Sequence, residues 1–295
     1  MDRELIIQKF ATLGIWRRAG ERAPHKPLLV LYAIGKLLRG ESRLIPYCEV
    51  DEGLGKLLQE FGPRRSRQGS QYPFWRLRND SVWEVTDADQ IVTNSSGDAR
   101  KSDLLARSVS GGFREVIATR LQNDSKLTFE IIHNLLDAHF PPSIHGDILQ
   151  AVNIEPTLRV FDTRRRDSHF RGNVLRAYEY KCAICGFDVK LGHAPIGLEA
   201  SHIKWRAAGG PNQVVNGLTL CVLHHKLFDR GAFTLSKQWE ILVSDDAHGS
   251  VGFQEWLMRF HGKKINFPQR QSYYPKVDFI GWHVREVFQG KYRAL

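Results

Sequence analysis

Apolar residues recur at helical spacing through residues 2–13 and again through 27–39, and this period predicts a helix for each stretch. Pro27 suits the first turn of the second helix, where a missing N–H costs nothing. Residues 81–85 read as a strand following the Asn79-Asp80 turn. Farther on, Phe170, Val174, Leu175 and Tyr178 share one face of a basic helix predicted over residues 164–179. A β-type run from Ile196 to Trp205, an irregular Gly/Pro/Asn loop from Ala207 to Gly217, a short run from Leu218 to Leu220 and a helical stretch from Cys221 to Phe228 follow. Their order is strand, loop, strand, helix. Phe233 to Val243 alternate as a strand, and Phe253 to Phe260 suggest a short helix with Trp256, Leu257 and Phe260 on its apolar face.

The pattern breaks after Phe140, at Pro141-Pro142, Gly146 and Pro156. With 295 residues the chain is long enough for two cores. The expected organisation is α+β: a mixed α/β domain over 1–140, a linker over 141–163 and a second domain over 164–295. No apolar run reaches the length of a membrane span, and Met1-Asp2-Arg3-Glu4 lacks a signal-peptide pattern, so a soluble, cytoplasmic protein is expected. The chain has 4 cysteines, and Cys48 stands apart from the other three, which excludes a disulfide framework and agrees with a reducing compartment.

Charge narrows the partner. Lys and Arg number 42 against 32 Asp and Glu, a formal net charge of +10, which favours a polyanion through counterion release. The cations cluster at Arg17-Arg18, Arg64-Arg65-x-Arg67, Arg76-x-Arg78 and Arg164-Arg165-Arg166. A solvated surface would also account for any one of these clusters.

The sharpest chemistry lies between Cys182 and Arg230. Cys182-x2-Cys185 and Cys221-x2-His224 each present two ligands that can meet one tetrahedral ion, so the four residues form a candidate structural Zn2+ site. A redox dithiol is the competing reading of a CxxC pair, and the absence of a βαβ pattern weighs against it. Between the pairs, folding the hairpin over the helix can bring His202 and His225 to one cleft, with Asn216 fastening the loop between them. A zinc deaminase is excluded, because His202 is followed by Ile203-Lys204 and no Pro precedes a Cys pair.

His202, Asn216 and His225 resemble the three signature residues of the HNH, or ββα-metal, nucleases, with the zinc pairs flanking them. The resemblance covers about fifty residues and implies hydrolysis of a DNA phosphodiester. It gives His202 the role of general base on a water, Asn216 that of a loop anchor, and His225 that of ligand to a catalytic divalent cation, Mg2+ or Mn2+. Ser201 departs from the family pattern, which often places a metal ligand there. Glu199 or Asp229 is left to supply the carboxylate, and Glu199 is carried with His225 as the expected pair.

In the first domain, Arg22-Ala23-Pro24-His25-Lys26-Pro27 forms a cationic turn at a helix N-terminus, where free N–H groups favour an anion. Gln71-Tyr72-Pro73-Phe74-Trp75-Arg76-Leu77 mixes aromatic surface with arginine; packing into the core is the plainer role for Phe74 and Trp75. With Gly111-Gly112-Phe113, these segments resemble the sulfur-binding domain of phosphorothioate-dependent type IV restriction endonucleases, which join such a domain to a C-terminal HNH nuclease. The resemblance implies that Tyr72 and Pro73 line an apolar dent for sulfur, that His25 and Lys26 contact the modified backbone and nearby bases, and that Arg100 or Arg107 closes the site. Sulfur is more weakly hydrated than oxygen and loses less on entering such a dent. The implied protein binds phosphorothioate-modified double-stranded DNA, cuts nearby, defends a cell against modified incoming DNA and pairs as a homodimer on DNA to cut both strands. Two alternatives stay open: an HNH enzyme reading another modification such as a methylated base, and a non-catalytic zinc-containing DNA-binding protein, which Ser201 favours.

Overall fold

A computed structural model describes residues 2–15, 21, 23–64, 69–154 and 168–294. The chain divides into two compact units, residues 1–160 and 161–295. The Arg17-Arg18 and Arg164-Arg165-Arg166 clusters, Arg22, Arg65 and Arg67 lie outside the described residues.

Unit 1 runs α1 (Arg3–Ala11), α2 (His25–Leu38), β1 (Leu44–Pro46), α3 (Tyr47–Phe61), α4 (Gln71–Arg76), β2 (Trp83–Val85), α5 (Lys101–Ala106), β3 (Ser110–Phe113), α6 (Glu115–Asn123), α7 (Ser125–His139) and α8 (His145–Ala151). Leu28, Leu29, Val30, Leu31 and Ile34 of α2 are all fully buried, so this helix is the core's axis. Each such side chain contributes about 1.5–3 kcal/mol through burial. Helices α3, α4, α6 and α7 pack around it. Asp124 caps α7, its carboxylate accepting the Leu127 N–H at 2.9 Å.

The small antiparallel sheet has the order β1-β3-β2, with Leu44 opposite Gly112 and Trp83 opposite Phe113. A methyl group at Gly112 would run into the carbonyl of Arg43, so only glycine allows the central strand this approach. The Gly111-Gly112-Phe113 stretch is therefore a sheet element. Phe74, Trp83 and Phe113 form an edge-to-face chain beside it, with centroid spacings of 6.1 and 5.6 Å.

The expectation of a linker beginning at residue 141 does not hold for residues 141–154. Pro141-Pro142 leads into a short 3-10 turn and then α8, and Ile144, Ile148, Leu149, Val152 and Ile154 are buried. Prolines here start a helix instead of ending a domain. Arg39 donates to the carbonyl of Val152 at 3.1 Å, tying the end of α8 to α2.

Unit 2 comprises α9 (Ser168–Ala177), β4 (Lys190–Leu191), β5 (Ala194–Pro195), β6 (Leu198–His202), β7 (Gly217–Cys221), α10 (Val222–Asp229), β8 (Phe233–Leu235), β9 (Ile241–Val243), α11 (Val251–Trp256) and α12 (Val277–Glu286). The β6-β7 hairpin pairs His202 with Gly217 and Leu198 with Cys221. A side chain at Gly217 would strike Val174 and Phe170, so α9 seats directly on that glycine.

Residues 233–243 are a hairpin, β8 and β9, and not the single strand expected. Trp239 turns the chain with φ 61°, held by its indole N–H donating to the Pro275 carbonyl at 2.9 Å. The helix expected at Phe253 to Phe260 is α11 followed by a 3-10 turn, and Trp256 is 54% exposed instead of facing the core. His283 is structural, stacked on Phe228 at 3.7 Å and bonded to Thr234 and to the Phe228 carbonyl. Among the described residues, no helix is long and apolar enough to cross a membrane.

Candidate nuclease centre and DNA-reading surface

The ligating atoms of Cys182, Cys185, Cys221 and His224 all lie within 4.8 Å of one another. Cys182 and Cys185 bracket a turn, while Cys221 ends β7 and His224 falls on the first turn of α10. The Trp256 carbonyl accepts a hydrogen bond from His224 Nε2 at 2.8 Å, so Nε2 carries the proton and Nδ1 faces the sulfurs, 3.1 Å from Cys221 Sγ. Sulfur neighbours push the Cys182 thiol well above the ordinary range and hold that of Cys221 well below it. Burial opposes charge on His224, but Cys185 and Cys221 lift it to about 9. Three thiols and an imidazole crowded without a shared cation are a mismatch that a tetrahedral ion resolves, so the residues fit a metal of the zinc type.

His202 ends β6. Its ring stacks on Phe170 of α9 with centroids 3.9 Å apart and planes 14° from parallel. Its Nε2 lies 2.9 Å from Asn212 Oδ1. Burial pulls its pKa below 6.5, opposed by the Asn212 hydrogen bond and by the charge of Asp229. Asn216 is buried and clasps the loop: its Oδ1 accepts from Lys204 N at 2.9 Å, and its Nδ2 donates to the carbonyls of Lys204 and Pro211, both at 3.0 Å.

His225 lies on α10 between two carboxylates. Glu199 Oε2 of β6 is 2.6 Å from its Nδ1, and Asp229 Oδ2, one helical turn on, is 3.0 Å from its Nε2. Burial alone would favour the neutral ring, yet Asp229 and Glu199 push its pKa up to about 10. A carboxylate–imidazole–carboxylate group of hard oxygens and nitrogen suits a divalent cation. Ser201 is fully buried, and its hydroxyl makes no hydrogen bond among the described residues. Sequence reasoning left Asp229 as one of two candidate carboxylates, although its i,i+4 spacing from His225 places both on one helix face. Asn212 it missed, since nothing local marks one loop asparagine over another.

In unit 1, three ion pairs draw separate segments toward α4. Lys26 Nζ meets Asp80 Oδ2 at 2.5 Å, Arg76 grips Asp98 with two bonds of 2.6 Å, and Lys101 reaches Asp51 at 2.7 Å. Asp51 also accepts from Ser70, the residue before α4. Tyr72 is 43% exposed and the Arg76 guanidinium lies 5.4 Å from its ring centroid. His25 is half-buried, and Arg100 and Arg107 are exposed. Two expected contact residues are placed otherwise: Lys26 is turned inward to Asp80, and Pro73 is buried with Phe74 and Trp75.

A hairpin carrying one histidine, a clasped loop and a helix carrying a second histidine beside a Cys3His cluster define an HNH endonuclease domain, and the HNH endonuclease family model matches residues 182–236. The chain is a nuclease with a DNA-binding unit ahead of its HNH domain. The model of the ScoMcrA-like DNA sulfur-binding domain matches residues 3–157, more than half of the chain, and the chain belongs to that family. No curated protein matches it. Among solved structures, the sulfur-binding domain of ScoMcrA complexed with phosphorothioated DNA is 25% identical, with a TM-score of 0.46, over 50% of this chain and 94% of that one. The corresponding domain of SprMcrA, also with phosphorothioated DNA, is 22% identical, with a TM-score of 0.45, over 52% and 95%. The type IV phosphorothioation-dependent restriction endonuclease ScoMcrA is 24% identical, with a TM-score of 0.44, over 50% of this chain and 28% of that one.

Proposed function

We propose that this protein is a modification-dependent restriction endonuclease whose first unit reads a phosphorothioate in double-stranded DNA and whose HNH unit cuts the DNA nearby. The observation that carries the reading is the presence, in one chain, of a DNA sulfur-binding unit and of His202, the Asn216 clasp and His225 together on the β6-β7 hairpin and α10. In unit 1, exposed Tyr72, together with half-buried His25 and exposed Arg100, supplies the contact surface. Lys26 contributes by fixing the start of α2 through Asp80, and Pro73 from a buried position on α4 beside Tyr72 in the chain. Sulfur beside an aromatic face loses less hydration than an oxyanion would, which gives the discrimination its sign.

In unit 2, His202 accepts the proton of the attacking water as general base. His225 and Asp229 would hold a divalent cation such as Mg2+ or Mn2+, with Glu199 keeping the His225 ring oriented through Nδ1. When bound, that cation supplies charge stabilisation to the phosphate and leaving oxygen. Zn2+ at the Cys3His cluster would hold the turn at Cys182 against the start of α10. A homodimer on DNA would give each strand its own cutting centre.

The test is a pair of matched DNA duplexes, one with a phosphorothioate, assayed for binding and cleavage with Mg2+ or Mn2+. Sulfur-dependent binding followed by nearby cuts is expected. Tyr72→Ala removes discrimination of about 1–3 kcal/mol, or roughly 5- to 150-fold, while His202→Ala keeps binding and loses cutting. Equal cutting of both duplexes would discard the sulfur reader and keep the nuclease.

A further inference from the structure

Asn216 spends its side chain on Lys204 and Pro211, and all three bonds lie on the loop that carries Asn212. Gln213 N–H donates back to the Pro211 carbonyl at 2.9 Å, and Asn216 N–H to that of Gln213 at 2.9 Å. Asn212 is thereby held from both sides, and its Oδ1 reaches His202 Nε2 at 2.9 Å. A carbonyl oxygen only accepts, so His202 Nε2 must carry the proton and donate it. The lone pair of the neutral ring then sits on Nδ1. Phe170 stacked at 3.9 Å fixes the ring's plane, leaving its rotation within that plane to Asn212.

We infer that Asn212 is a positioning residue for the hydrolytic step, holding the ring of His202 by its Nε2–H so that Nδ1 is the atom that takes the proton. The role rests on His202 being the general base. It also gives the Asn216 clasp a further purpose: the clasp presents Asn212 to the base. Besides Asn212, the groups acting on the His202 ring are Asp229 and His225 of α10 and Arg206 of the loop, while α9 presents the uncharged Phe170. The Asn212 bond itself favours the protonated ring, so changes at residue 212 must move the ring's titration in opposite directions according to the charge introduced.

The experiment compares the full-length wild type with Asn212→Asp and Asn212→Leu. The ring of His202 is followed by 15N NMR across pH, its signals assigned by their loss in His202→Asn, and phosphorothioate duplex cleavage is measured with Mn2+. Expected is a His202 pKa order of Asp above Asn above Leu, with the aspartate variant raised by about one unit. The leucine variant should lose about 10- to 100-fold in kcat with KM for DNA unchanged, and the aspartate variant should retain its plateau rate. A His202 titration identical in all three proteins, or cleavage indifferent to both substitutions, overturns the inference. Cutting that survives His202→Ala would instead remove the general-base reading, and the role of Asn212 with it.

Discussion

Lys26 and Asp80 form an ion pair almost closed off from water, with side chains 10% and 9% exposed and Nζ 2.5 Å from Oδ2. Asp80 also accepts the Gly14 N–H at 2.6 Å, so one carboxylate joins the start of α2, the end of α1's trailing segment and the turn after α4. Lys26→Ala would strand a buried carboxylate. The expected cost is about 3–5 kcal/mol of unit 1 stability, and Lys26→Met with Asp80→Asn should restore most of it. Chemical denaturation of the three proteins checks this. A loss of DNA binding in Lys26→Ala alone would then be traced to folding and not to a lost phosphate contact.

Gly35 faces the end of α8, where a methyl group would meet the Val152 carbonyl oxygen. Gly35→Ala must displace backbone, and a loss of about 1–3 kcal/mol is expected in spite of alanine's better helix propensity. A raised or unchanged melting temperature would show that α8 is not seated on α2.

Removing metal should act unevenly. The Cys182, Cys185, Cys221 and His224 cluster ties the segment before β4 to the junction of β7 and α10. A structural zinc of this type contributes about 10–16 kcal/mol at neutral pH. A strong chelator, or Cys221→Ser, is expected to unfold unit 2 while unit 1 keeps its own transition. Calorimetry resolves the two transitions, and metal analysis of the untreated protein should find one tightly held ion per chain.

The acid side of the rate profile should reflect His202. Below its pKa the ring is protonated and cannot accept a proton from water, so the rate falls as pH falls through that value. Burial lowers this pKa from 6.5, which places the limb on the acid side of an ordinary histidine. Single-turnover cleavage measured across pH 5–8 at saturating Mn2+ checks the sign, and a limb above pH 7 would assign it to another group.

The hairpin and helix of the nuclease centre were legible because their signals are local: alternation at Leu198–His202, turn residues in the loop, and four ligands at fixed spacing. The sheet at 233–243 was misread because its turn is Ser236-Lys237-Gln238-Trp239, without glycine or proline, and Trp239 adopts a left-handed φ that tertiary contacts support. The inward turn of Lys26 escapes the sequence for the opposite reason. A lysine beside a proline at a helix start reads as a cation offered to solvent, and its partner lies 54 residues away. Asn216 is marked in the sequence by its place in the HNH pattern, whereas Asn212 is a loop asparagine with no such mark. Only the fold shows that Asn212 reaches His202.

The clasp at Asn216 also separates the neck of its loop from the tip. Lys204, Pro211 and Asn216 close the neck of the loop, while Arg206, Ala207 and Gly209 at its tip are exposed and Gly209 has open space around it. Insertions at that tip would lengthen the loop without shifting the hairpin register that carries His202. The tip is thus a place where the loop could lengthen while the clasp and the hairpin stay as they are.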